Sequence, residues 1–155
     1  MYGDTETVRR RAGQLRDQGA DVRALAEELV ARVEAVGWSG RAAEAMAQRV
    51  AERAGHLRHV AEAHTGAADA LSDHAAAVDS LREEIARIET RAEALVADAR
   101  ARVGAITERN ARLAEAGGDA PAVEPDPTDT ALLAFVPPPP GHRDWLHVEL
   151  PGLER

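Results

Sequence analysis

The chain has 155 residues, a length that suits one domain and a tail, and 34 of them are Ala while only four are aromatic. That excludes a thick aromatic core and favours long helices whose backbones come close together, since Ala combines the highest helix propensity with a very small side chain. A net charge of −8, from 19 Arg, no Lys and 27 carboxylates, argues against nucleic acid and anionic membranes as partners, and the lack of Cys excludes disulfides, thiolate nucleophiles and thiolate metal sites.

The opening Met1-Tyr2-Gly3-Asp4-Thr5-Glu6 is polar and acidic where a secretory signal needs basic and then apolar residues. A cytoplasmic location is therefore expected, with export left open only by a route that needs no cleaved signal peptide. Beyond it the apolar residues follow a helical period. Val8, Leu15, Val22, Leu29 and Val36 recur every seven residues, with Ala12, Gly19, Leu25, Ala26 and Val33 filling the same face. Asp4 or Thr5 can cap the start, because a side-chain oxygen there accepts from an otherwise unpaired backbone amide. Gly37 fits the stop, where a left-handed residue is cheap only for Gly. The first helix is predicted over about 4–36.

After a short turn the seven-residue ladder resumes through Ala43, Val50, Leu57, His64, Leu71, Val78, Ile85, Ala92, Ala99, Ile106 and Leu113. A companion row holds Met46, Val60, Ala67, His74, Leu81, Ile88 and Leu95. All eight Pro lie at position 121 or later, so none interrupts this stretch. The phase holds across Gly55, Gly66 and the Ser72-Asp73 pair, as a continuous helix demands. One helix over about 41–116 is expected, with a split near 72–74 and a three-helix bundle as the alternative. The fold class is then all-α: a long antiparallel helical hairpin over 1–116, coiled-coil-like in its period, and a proline-containing acidic tail over 117–155, with the boundary near Gly117-Gly118.

Folded back from the turn, the first helix reaches only to roughly residue 73 of the second. The stripe formed by Leu71, Val78, Leu81, Ile85, Ile88 and Leu95 runs past that reach. An unburied apolar stripe leaves a helix marginal in water, so the overhang has to self-associate, meet another chain or be covered by a fold-back. This marks the chain as an interaction protein with that stripe as its seam.

Gly37-Trp38-Ser39-Gly40 stand at the turn. Trp38 is the only aromatic between Tyr2 and Phe135, and its ring is expected to plug the cleft where the helices diverge. Ser39 is placed to cap the second helix, and Gly40, without a side chain, to let the helix ends approach. With this turn some forty residues from the start and proline-free helices on both sides, Trp38-Ser39-Gly40 resembles the WxG-motif family of small helical hairpins of type VII (ESX) secretion, over roughly residues 4–85. The resemblance implies an antiparallel hairpin that pairs with itself or with a related hairpin, and that is exported or helps to export a partner without a cleaved signal. It also implies a secretion ATPase as a further partner. The family often carries Tyr-x-x-x-Asp/Glu after the second helix; here Ser80 to Glu84 has the carboxylate without the ring, and Tyr2 to Glu6 has the pattern at the other end. A role beside a partner that carries the signal fits that departure.

No catalytic constellation assembles, and neither a cofactor nor a metal is expected. Ser39 is accounted for by the turn, and Ser72 and Ser80 lack a nucleophile elbow. His56 and His59, with Glu52 and Glu62 nearby, read as a solvated face. His64 and His74 interrupt the apolar ladder; they fix register, as a buried polar residue does in coiled coils, or they loosen the seam when charged at low pH. Arg9-Arg10-Arg11 reads as a solvated surface able to pair with a partner's carboxylates.

The tail begins with an extended, flexible linker over 117–130, rich in Gly, Asp, Pro and Thr. The apolar run Ala131 to Val136, the rod Pro137 to Pro140 and the partly alternating Trp145 to Leu150 follow, far short of the ~20 residues a membrane span needs. Phe135, Trp145, Leu146, Val148 and Leu150 are candidate docking residues, for a partner's groove, a partner's sheet or the chain's own overhanging seam, the alternative being a disordered end with incidental apolar residues. The sequence therefore reads as a non-enzymatic hairpin interaction protein associated with type VII secretion, as substrate or as co-secreted or helper partner. A cytoplasmic coiled-coil adaptor or chaperone unrelated to secretion is the alternative.

Overall fold

The computed structural model describes residues 4–117 and 121–154. Tyr2 and Gly118, used in the sequence reading, lie outside the described residues. The described chain is all-α, with α1 at Thr5–Val36, α2 at Arg41–Glu115, a short α3 at Pro127–Leu133 and a 3-10 turn at Arg143–His147. No strand occurs among the described residues. α2 passes through Gly55, Gly66 and Ser72-Asp73 without a break, the Ser72 hydroxyl donating back to the Ala68 carbonyl at 2.9 Å. The fold is thus a hairpin with a continuous second helix, not a bundle split near 72–74. Two compact units meet at Asp79/Ser80, inside α2, where the sequence had placed the boundary near 117.

The first unit is the hairpin. α1 starts at Asp4, whose carboxylate accepts the Glu6 amide at 3.1 Å and the Thr7 hydroxyl; the hydroxyl chiefly holds the Asp4 carboxyl below its ordinary range. α1 ends at Gly37 with φ of 65°, the left-handed cap that the sequence called for. The start of α2 differs from expectation. The Glu44 amide donates to the Gly40 carbonyl at 3.0 Å, so the capping position falls on Gly40, and Ser39 stands one residue too early. A Cβ on Gly40 would meet nothing within 4 Å; its glycine is required by a φ of 98°, not by close approach of the helix ends.

The helices touch through their smallest residues. α1 buries Thr5, Ala12, Gly19 and Ala26, seven residues apart, and α2 buries Ala54, Ala61, Ala68 and Ala75 at the same interval. At Gly19 the backbones come so close that an added Cβ would lie 3.0 Å from the Ala61 carbonyl oxygen and 3.3 Å from the His64 Cβ. The row through Leu57, His64, Leu71 and Val78, part of the seven-residue ladder read from the sequence, flanks this seam and is half-buried. Two methyl-lined faces let helices sit at the short end of the usual ~8–10 Å separation, which multiplies backbone dispersion contacts and leaves no central room for Leu.

The second unit is the rest of α2 with the tail folded onto it. Ile85, Ala92 and Trp145 form its buried cluster, with Ile88, Phe135, Leu146, Val148 and Leu150 packed around them. Trp145 is 3% exposed; its ring meets Phe135 edge-on at 6.0 Å and its indole N–H donates to the Pro139 carbonyl at 3.1 Å. The linker expected to be flexible over 117–130 is pinned at several points. The Asn110 side chain exchanges two hydrogen bonds with the Val123 backbone, at 2.9 and 3.0 Å, and Asp126 caps α3, which starts with Pro127.

Replacing Gly19 by Leu is expected to destabilise the hairpin by ~1–3 kcal/mol, because the seam has no space for the side chain. Gly13→Ala, whose Cβ meets nothing within 4 Å, serves as the control and should be neutral or stabilising. Urea unfolding followed by helical circular dichroism checks both.

Candidate functional site

The two sides of the hairpin seam differ because the heptads place different residues four and three positions after each seam residue. Four positions on, α1 carries Arg9, Arg16, Arg23 and Val30 and α2 carries Arg58, Thr65, Ser72 and Asp79. Away from the turn, polar contacts between the helices close this side. Arg16 donates to Asp69 at 3.0 Å and to Ser72 at 2.9 Å, the Thr5 hydroxyl donates to Asp79 at 2.9 Å, and Arg9 pairs with Asp79 as well. Arg9, expected on a solvated patch, therefore works inside the chain, while Arg10 and Arg11 bond to Thr7 and Gln14 of their own helix.

Three positions on, both helices carry apolar rows that stay half-buried: Val8, Leu15, Val22 and Leu29 on α1, with Leu57, Leu71 and Val78 on α2. One row further out, Leu25, Met46 and Val60 are exposed. This side is open. It holds His64, half-buried, whose Nδ1 is buried without a hydrogen-bond partner, whereas His74 is exposed. At the turn Trp38 does not plug the cleft: it is 74% exposed, beside the exposed Val36. The ring instead lines an open cleft with Val33, Val36, Ala43, Met46 and Ala47.

The six residues read as the interaction seam are dispersed by the fold. Leu71 and Val78 flank α1, and Leu81 is exposed. Ile85 is buried and Ile88 packed by the chain's own tail, and a Cβ on Gly152 would touch the Leu95 side chain at 3.4 Å. That stretch is therefore not an open seam. The five tail residues read as docking groups dock here, on α2 itself, Trp145 at the centre and Phe135, Leu146, Val148 and Leu150 around it. Of the three resting places weighed for the tail, the fold-back is the one the structure takes.

Sequence reasoning missed the Ala54-Ala61-Ala68-Ala75 row, although four Ala at perfect heptad spacing were visible. It also missed Arg102 and Asp129. The Arg102 guanidinium grips Asp129 through two nitrogens, with Nε at 3.0 and 3.1 Å from its oxygens. This contact holds the Asp129 carboxyl below its ordinary value and raises Arg102. His56 and His59 are exposed, and His59 Nδ1 lies 4.0 Å from Glu62. No group of three or more metal-ligating side chains stands together among the described residues, and no helix among them is long and apolar enough to cross a membrane.

A lowered carboxylate value contributes stability above the ordinary titration range and loses it as pH falls through the depressed folded value. The tail's hold on α2 should thus stay constant from about pH 7 to 5 and loosen only below the ordinary ~3.9 of Asp. Trp145 fluorescence in a Trp38→Phe background reads this, and Asp129→Asn should remove the acid transition. Compared with known proteins, the chain matches no family model, no curated protein and no solved structure.

Proposed function

We propose that the chain is a non-enzymatic helical-hairpin interaction protein of the type VII secretion kind, acting as substrate or as co-secreted or helper partner. The observation that carries this reading is the asymmetry of the hairpin: ion pairs and hydrogen bonds close one side, and an apolar side with exposed Leu25, Met46 and Val60 lies open along the other. Scattered exposed apolar residues need no explanation, but these are aligned by the heptad on one side of one seam. A second helical hairpin supplies the matching shape, since helices of the same period interdigitate along it. The Trp38-Ser39-Gly40 turn adds the link to secretion, with an aromatic ring in solvent at the tip.

The reading is tested in the host. Deleting the secretion ATPase should abolish export of this chain or of the hairpin it accompanies. Trp38→Ala should lower that export severalfold while leaving helical content unchanged, because the ring is not part of the fold's core. Export and localisation that ignore both changes would point to a cytoplasmic adaptor instead.

A further inference from the structure

We infer that the cleft between α2 and the folded-back tail binds a small amphipathic zwitterion, an amine and a carboxylate joined by a hydrocarbon body about 10 Å long, the amine at Glu93 and the carboxylate at Arg100. The site lies wholly within the tail unit and is independent of how the hairpin's open side is read.

The cleft has a volume of about 460 Å³, inside the ~300–1,000 Å³ of small-ligand sites. α2 supplies one wall. Ala92, Glu93, Val96, Ala97 and Arg100 stand three, four, seven, eight and eleven positions after Glu89, so all six share one helical face. The tail supplies the other wall. Phe135 and Trp145, edge-on to each other at 6.0 Å, bring aromatic carbon to it, and Pro137, Pro138 and Pro140 complete it. This wall is stiff, because proline locks φ and because the Pro139 carbonyl accepts both the Trp145 indole N–H and the His142 amide, each at 3.1 Å. A preformed site loses little free energy to ordering when a ligand enters.

Charge names the ligand's ends. Along α2 the two carboxylates, Glu89 and Glu93, stand at one end of the cleft and the Arg100 guanidinium at the other. Glu89 is engaged by the Gly141 amide, which donates to it. Glu93 and Arg100 are exposed and make no hydrogen bond or ion pair among the described residues. Seven residues of helix separate them, ~10.5 Å along the axis, too far to pair with each other. Between the two ends Val96, Ala97, Leu133 and Phe135 offer no hydrogen-bonding side chain, and the indole N–H is committed to Pro139. Peptide groups would be left unpaired there, which selects a hydrocarbon body over a peptide one. A dianion would meet a like charge at Glu93 and a dication at Arg100; a zwitterion meets the opposite charge at both ends.

Trp145 fluorescence of the full chain carrying Trp38→Phe tests this with 8-aminooctanoate, whose charged ends match the span, and with the one-ended probes octylammonium and octanoate. 8-Aminooctanoate is expected to bind about fivefold tighter than either of these, the worth of one partly exposed ion pair. Glu93→Gln should weaken 8-aminooctanoate and octylammonium and leave octanoate unchanged. Arg100→Gln should weaken 8-aminooctanoate and octanoate and leave octylammonium unchanged. Both side chains are exposed and unpaired, so neither substitution disturbs the fold, which circular dichroism verifies. Ala97→Phe, which fills the cleft from its exposed wall, should remove binding of every probe. No saturable response to any probe up to about 10 mM overturns the inference. So does equal affinity for the three probes, a charge variant that weakens all of them alike, or binding indifferent to Ala97→Phe.

Discussion

The hairpin depends on the contact between two rows of residues that have almost no side chain. Thr5, Ala12, Gly19 and Ala26 on α1 meet Ala54, Ala61, Ala68 and Ala75 on α2, and at Gly19 the contact is backbone against backbone. Small residues at the centre displace every large one to a flank. The large apolar side chains then cannot be fully buried by the two helices themselves: Val8, Leu15, Val22 and Leu29 remain half-buried, and so do Leu57, Leu71 and Val78. A leucine-centred pair would have hidden its best apolar surface; an alanine-centred pair displays it. The same packing rule that stabilises the hairpin thus creates the surface on which its binding role rests.

Polarity decides which flank is left open. One flank carries Arg16 with Asp69 and Ser72, and Arg9 and Thr5 with Asp79, so its polar groups satisfy one another. Surface pairs of this sort are each worth only ~0–1 kcal/mol, yet as a set they favour one hand of packing over the other. The tail unit solves a different problem with different means. Beyond Asp79 the α2 ladder turns from Ala to Ile85, Ile88 and Leu95, and the cover is aromatic, with Trp145 buried at the centre and anchored by its N–H on Pro139. Pro137 to Pro140 stiffen the segment that presents it, and Asp129 on Arg102 holds α3. Two of the chain's four aromatics are spent there.

Most of the architecture was legible in the sequence. Proline-free length, unbroken heptad phase and Gly37 gave α1, the turn and a continuous α2 to within a residue or so at each end. The period alone could not say which row lies at the centre, because a row of Ala and a row of Leu three positions apart both read as apolar, and hydrophobicity favours the larger. Distance of approach decides it, and that depends on the facing helix. The tail's resting place was one of three legible outcomes, since Trp145 to Leu150 carries no local signal naming its groove, and the grip of Arg102 on Asp129 joins residues 27 positions apart.

The close seam is tested most directly by nuclear Overhauser contacts in solution. The account requires strong contacts between the Gly19 α-protons and the His64 β-protons, groups on facing helices so close that a Cβ added at Gly19 would lie 3.3 Å from the His64 Cβ. It also requires Leu15 and Leu57 to keep solvent-accessible methyl groups in any state where the chain is alone. Absence of the Gly19 contact, with Leu15 and Leu57 packed on one another at the helix interface, would show that large residues occupy the centre and that no apolar side is left open.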